Sequence, residues 1–162
     1  MMASSESSTW EVPRLRISRD GTWHHEDQEI THEGVLANLW ANLRTDADGY
    51  HVQAGPVRVP VEVEDAPFAV LRVEREGDRL ILTASDLSRE PLDPATLRVN
   101  ERGVPYCRIK QGRFEARFSR AAAYQLLEHA EYDEPSGRAT LVVGGTRYRL
   151  PNPPAEDAPL TS

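Results

Sequence analysis

The sequence predicts an α+β fold with mainly antiparallel sheets, built from two copies of one strand-strand-helix-strand-strand unit. A hairpin with a glycine turn, a capped helix and two further strands occur in the same order in both halves of the chain. The first repeat is predicted at residues 13–66. The second is predicted at residues 67–151, with extra strands at its N-terminal end.

The two hairpins carry the first part of the repeat. Leu15-Arg16-Ile17-Ser18 is followed by Arg19-Asp20-Gly21 and Thr22-Trp23-His24-His25, with glycine where the turn needs a positive φ. Cys107-Arg108-Ile109-Lys110 leads through Gln111-Gly112 to Arg113-Phe114-Glu115-Ala116. Each hairpin contains Arg-Ile, a glycine turn and an aromatic residue, which favours a common origin for the two copies.

A helix follows each hairpin. Thr31 and Ser119 are the predicted N-caps, because a hydroxyl can accept from the first free amides of a helix. The first apolar face is predicted to contain Val35, Leu36, Leu39, Trp40 and Leu43, and the second Ala123, Tyr124, Leu127 and Ala130. Turns at Asp48-Gly49 and Pro135-Ser136-Gly137 then lead into two further strands in each copy.

Composition limits the class of protein. Residues 1–12 and 152–162 are predicted to be disordered tails, because they hold too little apolar surface to offset the entropy of ordering. The formal net charge of −7 disfavours a nucleic acid polymer or an acidic membrane as partner. One cysteine and no long apolar run predict a reducing, cytoplasmic setting without a membrane span.

The second hairpin predicts one buried face and one charged face. Strand alternation buries Cys107, Ile109, Phe114, Ala116 and Phe118, and turns Tyr106, Arg108, Lys110, Arg113, Glu115 and Arg117 outward. Arg16 takes the equivalent place in the first copy, opposite His24, and guanidinium groups suit phosphate or carboxylate ligands. The alternative is that these arginines only solvate an exposed sheet.

Few residues suggest catalytic chemistry. His24-His25-Glu26-Asp27 with His32-Glu33 invites a metal-site interpretation. The consecutive residues His24 and His25 point to opposite faces of a strand, however, which favours an exposed polar hairpin end. Cys107 is predicted to be an inert core residue. Trp23 is a candidate to stack on a ligand, with the core as its alternative, and Asp65 is a candidate ligand contact or turn cap. No cofactor or metal is predicted.

Four short motifs occur in order along the chain: Arg16-Ile17, Asp20-Gly21-Thr22-Trp23, Asp48-Gly49-Tyr50 and Val63-Glu64-Asp65-Ala66-Pro67-Phe68. Together they resemble a bacterial family, domain of unknown function 1285 (DUF1285). The resemblance implies a duplicated core whose second half is similar to a pleckstrin-homology (PH) domain. It also implies a groove between the halves for a small, nucleotide-like ligand and a role in bacterial signalling.

The leading hypothesis is therefore a noncatalytic ligand-binding or regulatory module. An anionic or nucleotide-like ligand is expected between the repeats, bound by Arg16, Arg108 and Tyr106, with Trp23 and Asp65 as further contacts. A protein-interaction adaptor that uses the charged hairpin face is the alternative. A metal-dependent hydrolase centred on His24 and Glu26 is the third hypothesis.

Overall fold

The structure, a computed structural model, describes residues 14–133 and 138–150. Of these, residues 14–18 and 22–64 form one compact unit, and residues 19–21 join 65–133 and 138–150 in a second. The two helices and the repeated sheets of this part confirm the predicted α+β fold with repeated units. The predicted tails and the Pro135-Ser136-Gly137 turn lie outside the described residues.

The first unit contains one six-stranded sheet and one helix. Its elements are β1 (Leu15–Ile17), β2 (Trp23–His25), β3 (Gln28–Glu29), α1 (Glu33–Ala41), β4 (Leu43–Asp46), β5 (Gly49–Ala54) and β6 (Val57–Val63). The sheet order is β3-β2-β1-β6-β5-β4. Only the central pair, β1 with β6, is parallel among these strands.

The second unit repeats this sheet and adds a helix and a three-stranded sheet. The repeated strands are β7 (Phe68–Glu76), β8 (Arg79–Ala84), β9 (Arg89–Pro91), β10 (Arg98–Val99), β11 (Pro105–Ile109) and β12 (Phe114–Phe118), with a 3-10 turn at Pro94–Thr96. The added elements are α2 (Arg120–Glu128), β13 (Glu131–Asp133), β14 (Arg138–Val143) and β15 (Thr146–Arg149).

The two six-stranded sheets have the same topology. The second has the order β10-β11-β12-β7-β8-β9, so β7 to β12 take the places of β1 to β6, and the parallel central pair is β12 with β7. The unit that repeats is therefore three strands, a helical segment and three strands, and the additional elements of the second unit follow it. Arg16 lies on β1, whereas Arg108 lies on β11, the counterpart of β5. The two arginines therefore do not occupy equivalent positions, contrary to the expectation from the sequence.

The predicted pairing within each hairpin is confirmed. Ile17 faces Trp23, and Ile109 faces Phe114. The second hairpin closes with a wider loop than predicted, from Lys110 to Arg113, with positive φ at Lys110, Gln111 and Gly112.

The first helix differs in its ends from the prediction. His32, not Thr31, is the N-cap of α1, because its Nδ1 accepts from the Val35 amide at 3.2 Å. Leu43 is not helical but begins β4, where it is buried. None of the α1 residues is buried.

Ser119 caps α2 as predicted, with its Oγ accepting from the Ala122 amide at 3.1 Å. The apolar face of α2 is rotated from the predicted one. Ala122 and Leu126 are buried, whereas Tyr124 and Leu127 are exposed. Gln125 fixes the helix on the sheet, since its Oε1 accepts from the Val73 amide at 2.7 Å next to a bulge in β7.

The core of the second unit contains the predicted inner face of its hairpin. Cys107, Ile109, Phe114, Ala116 and Phe118 are all buried. Tyr106 was expected on the outward face but is only 3% exposed, because the guanidinium of Arg98 covers its ring at 4.1 Å from the centroid. Among the described residues, no helix is long and apolar enough to cross a membrane.

Candidate functional site: an arginine cavity in the second unit

A cavity of about 520 Å³ lies within the second unit. Its polar lining consists of Arg19, Asp20, Arg102, Arg117, Ser119, Arg120 and Tyr124. Four arginines line the wall against one aspartate, and Asp65 behind the wall pairs with one of the four, so an excess of positive charge remains on a chain whose formal net charge is −7. We call this site the arginine cavity.

Arg102 reaches the arginine cavity from the loop between β10 and β11. Asn100 shapes that loop, since its Oδ1 accepts from the backbone amides of Arg102 and Val104, each at 2.9 Å. Gly103 takes φ +82, a left-handed conformation that glycine adopts without strain. The loop therefore presents Arg102 from a fixed backbone.

Arg117 lies at the C-terminal end of β12 and is anchored by Asp65. Its Nη1 is 2.7 Å from Asp65 Oδ2, and the Tyr106 hydroxyl donates to the same oxygen at 2.5 Å. Burial, followed by the hydrogen bond and the charge of Asp65, raises the pKa of Tyr106 above its ordinary value of 10.0. The phenol therefore stays protonated and continues to donate at neutral pH.

Arg120 is the first residue of α2, so the N-terminus of that helix lies at the cavity wall. The amides of a first helical turn have no partners within the helix, and they give that end a partial positive charge. The Ser119 amide donates to Val70 O at 2.9 Å, which ties the start of α2 to β7. The Ala122 amide is already bound to the Ser119 hydroxyl, so this helix end offers the remaining first-turn amides and its partial positive charge beside the guanidinium groups.

Arg102 and Arg120 differ from Arg117 in their partners. Neither guanidinium has an ion pair or hydrogen bond within residues 14–133 and 138–150. Both residues are exposed. Their charge is available to a ligand, whereas that of Arg117 is shared with Asp65.

Two of the residues predicted from the sequence to bind a ligand belong to the first unit. Arg16 Nη1 is 3.9 Å from Glu64 Oε2, and Arg16 faces His24 on β2 as expected. Trp23 is 1% exposed and packs edge to face on Trp40, with ring centroids 5.3 Å apart. Trp23 is thus a core residue of the first unit.

The other three predicted residues belong to the second unit. Asp65 and Tyr106 are in contact, as described above. Arg108 does not line the arginine cavity, because its guanidinium folds back onto its own loop and donates to Gly112 O at 2.8 Å and Arg113 O at 3.3 Å.

Sequence reasoning missed Arg102 and Arg120 as binding residues. Arg117 was assigned only to the outward hairpin face. One signal in the sequence pointed towards this place: Ser119 is a strong N-cap, and basic residues at positions 117 and 120 surround it. The position of residue 102 depends on the hairpin of β10 with β11, and β10 is only two residues long, too short to show a strand pattern in the sequence.

The residues considered for a metal site and for a nucleophile, His24 and Cys107, do not line the arginine cavity. His24 Nε2 lies 3.1 Å from Thr22 Oγ1, and no group of three potential metal ligands occurs among residues 14–133 and 138–150. Burial raises the pKa of Cys107 to about 12. Ser88 Oγ lies 3.1 Å from Lys110 Nζ, and that ammonium is also paired with Asp86 Oδ2 at 2.9 Å.

Known proteins resemble this chain in the sequence of its first repeat and in its fold. Residues 8–66 match the family model of the domain of unknown function DUF1285, N-terminal domain. A crystal structure of a DUF1285 family protein from Silicibacter pomeroyi DSS-3 is similar at a TM-score of 0.68 and 23% identity, covering 88% of this chain and 85% of that one. No curated protein matches the sequence.

A second crystal structure, of a DUF1285 family protein from Shewanella baltica OS155, is similar at a TM-score of 0.61 and 21% identity. It covers 72% of this chain and 92% of that one. The structures share the fold, and the family model covers the first repeat. The DUF1285 resemblance seen in the sequence is thereby confirmed.

Proposed function

We propose that this DUF1285 protein is a noncatalytic binding module whose second unit holds a small anionic ligand in the arginine cavity. The observation that best supports this proposal is that Arg102 and Arg120 line one cavity without an ion-pair partner in the described part of the chain. Two unpaired cations that line one cavity repel each other, and a bound anion relieves that repulsion. On a chain with a formal net charge of −7, these arginines reduce the magnitude of the net charge and so do not add to its contribution to solubility.

The donors in the cavity suit phosphate and carboxylate groups. Guanidinium groups offer paired N–H donors that match the oxygens of such anions. The N-terminus of α2 adds backbone donors and a favourable dipole. A volume of about 520 Å³ falls in the ordinary range of sites for small molecules.

Apolar groups complete the cavity lining. Pro105 and Phe118 are buried residues of its wall, and the exposed ring of Tyr124 lies at the same site. They provide a surface for the uncharged body of a ligand, which favours an organic phosphate or carboxylate over a bare ion. The nucleotide-like ligand and signalling role implied by the family resemblance are compatible with this combination.

Isothermal titration calorimetry of the full chain tests the proposal. The panel is inorganic phosphate, pyrophosphate, citrate and AMP, at low and at high salt. We expect at least one anion to bind, more weakly at high salt because added ions screen the arginines. Arg120→Gln should weaken the binding about tenfold or more, since a charge-assisted hydrogen bond is lost.

Arg108→Gln is the matched control. Its guanidinium serves its own loop, so this variant should bind the same anion with the affinity of the unmodified chain. If no member of the panel binds, or if Arg108→Gln weakens binding as much as Arg120→Gln, the proposed site is wrong.

A protein-interaction surface is the second candidate function. Three large side chains are exposed on α2 and β13: Tyr124 at 64%, Leu127 at 40% and Tyr132 at 57%. Aromatic residues are enriched at protein interfaces. Loss of a specific partner from a pull-down with Leu127→Ser, and its retention with Arg120→Gln, would favour this candidate over the anion site.

A further inference from the structure

We infer that Tyr106 is a positioning residue of the arginine cavity, which acts through Asp65 to hold Arg117 in the cavity wall. This inference rests on the proposed function, because it assigns a role within the same binding site. It also gives Asp65 and Tyr106, both expected to touch a ligand, an indirect role.

One carboxylate oxygen of Asp65 connects Tyr106 with Arg117. Asp65 Oδ2 accepts from the Tyr106 hydroxyl at 2.5 Å and from Arg117 Nη1 at 2.7 Å. Tyr106 and Arg117 face each other across the β11–β12 pair, so their backbones are already in register. The carboxylate therefore has two fixed donors and one orientation.

Tyr106 is itself held in place. It is 3% exposed, and the Arg98 guanidinium lies 4.1 Å from its ring centroid. Arg98 is in turn bound by Glu115, with Nη2 2.7 Å from Oε2. A rigid phenol is a suitable anchor, because its hydroxyl position does not depend on further rotamer choices.

Of the three arginines, Arg117 depends most on being held in place if it is to contribute to the affinity for an anion. Its charge is partly offset by Asp65, so its value to a ligand lies in donors placed in advance. A long side chain loses rotamer freedom on binding, and fixing it beforehand removes that cost. Arg102 and Arg120 contribute positive charge to the site, and Arg117 contributes a guanidinium group whose N–H donors are already in position.

Tyr106→Phe tests this cleanly, because it removes one neutral hydroxyl and leaves every charge in place. With pyrophosphate as probe, the affinity should fall about 3- to 10-fold, the range of one ordinary hydrogen bond. Tyr132→Phe is the matched control, since it removes the hydroxyl of an exposed tyrosine that does not line the cavity. It should leave the affinity unchanged.

A double-mutant cycle separates positioning from a general structural role. In an Arg117→Gln background, Tyr106→Phe should have no further effect on pyrophosphate affinity, because the residue that it positions is gone. A merely structural tyrosine would weaken binding equally in both backgrounds. Thermal unfolding of each variant confirms that the comparison is made on folded protein.

The outcomes distinguish the two claims. If the unmodified chain does not bind pyrophosphate or any anion of the panel, the proposed function fails and this inference fails with it. If the chain binds pyrophosphate but Tyr106→Phe binds it equally well, or if the effect persists in Arg117→Gln, only the positioning role is wrong.

Discussion

Lys110 and Asp86 form an ion pair that joins two loops of the second unit. Lys110 Nζ lies 2.9 Å from Asp86 Oδ2, and the two side chains are only 23% and 14% exposed. Ser88 Oγ lies 2.5 Å from Asp86 Oδ1 and 3.1 Å from the same ammonium. The turn after β8 is thereby tied to the loop between β11 and β12.

Asp86→Asn should destabilise the protein by about 1–3 kcal/mol at neutral pH, the range for a hydrogen bond to a charged group. Burial by itself would raise the pKa of Asp86, but the hydrogen bonds of Ser88 and the charge of Lys110 outweigh it and lower that pKa from 3.8. A lowered pKa stabilises the folded state above the unfolded value, and this stability is lost as the pH falls below 3.8 towards the folded value.

Denaturant unfolding of the unmodified protein and of Asp86→Asn at several pH values measures this pH-dependent stabilisation. The difference between the parent and Asp86→Asn should be constant near neutral pH and shrink below about pH 4. The exposed Asp78 provides the control, and Asp78→Asn should have a smaller effect. A difference that grows in acid would contradict the assigned direction of the pKa shift.

Gly21→Ala should destabilise the chain more than the same change at Gly112. Both glycines have positive φ, +88 and +78, which alone costs alanine about 1–2 kcal/mol. A Cβ at Gly21 would also lie 3.0 Å from the Cβ atoms of Ala69 and Ser85, whereas nothing lies within 4 Å of one at Gly112. Overpacking adds about 1–3 kcal/mol.

Chemical denaturation of the two variants measures this difference directly. Equal destabilisation would show that the region around Gly21 yields to an added methyl group, and that the contact is not a packing constraint.

Cys107 should not react with a thiol reagent while the protein is folded. The side chain is 1% exposed, and burial raises its pKa to about 12, so almost no thiolate exists at pH 8. Labelling with a chromogenic disulfide should follow unfolding, and it should be fast in denaturant. Rapid labelling of the native protein would contradict this burial.

Asn100→Ala should weaken anion binding although Asn100 does not line the arginine cavity. The change removes the acceptor for the amides of Arg102 and Val104, so the loop that presents Arg102 loses its order. We expect an affinity loss of about 2- to 10-fold by calorimetry. Asn42→Ala, a change at the C-cap of α1 in the first unit, is the control and should leave the affinity unchanged.

The hairpins were predictable because their signals are local. Glycine turns and strand alternation fix Ile17 opposite Trp23 and bury the inner face of Cys107 and Ile109. The correspondence between the repeats was harder to find, because the short β3 and β9 leave almost no pattern. Sheet order, not sequence similarity, aligns β1–β6 with β7–β12.

The candidate site was predictable only in part. An anion site built from arginines was expected, but Arg108 was chosen for its place on the outward face of a strand. Its guanidinium instead satisfies the carbonyls of its own wide loop, a geometry that depends on positive φ at Lys110 and Gln111. Arg102 and Arg120 line the same cavity because β10, β11 and β12 pair in succession, and the periodicity of a single element does not show this.

The most direct test of the central claim is to locate a bound anion in a crystal of the protein soaked with tungstate, using anomalous scattering. The proposal predicts a peak in the arginine cavity, within hydrogen-bonding distance of Arg102 or Arg120. A peak at the Arg108 loop, with none in the cavity, would contradict it.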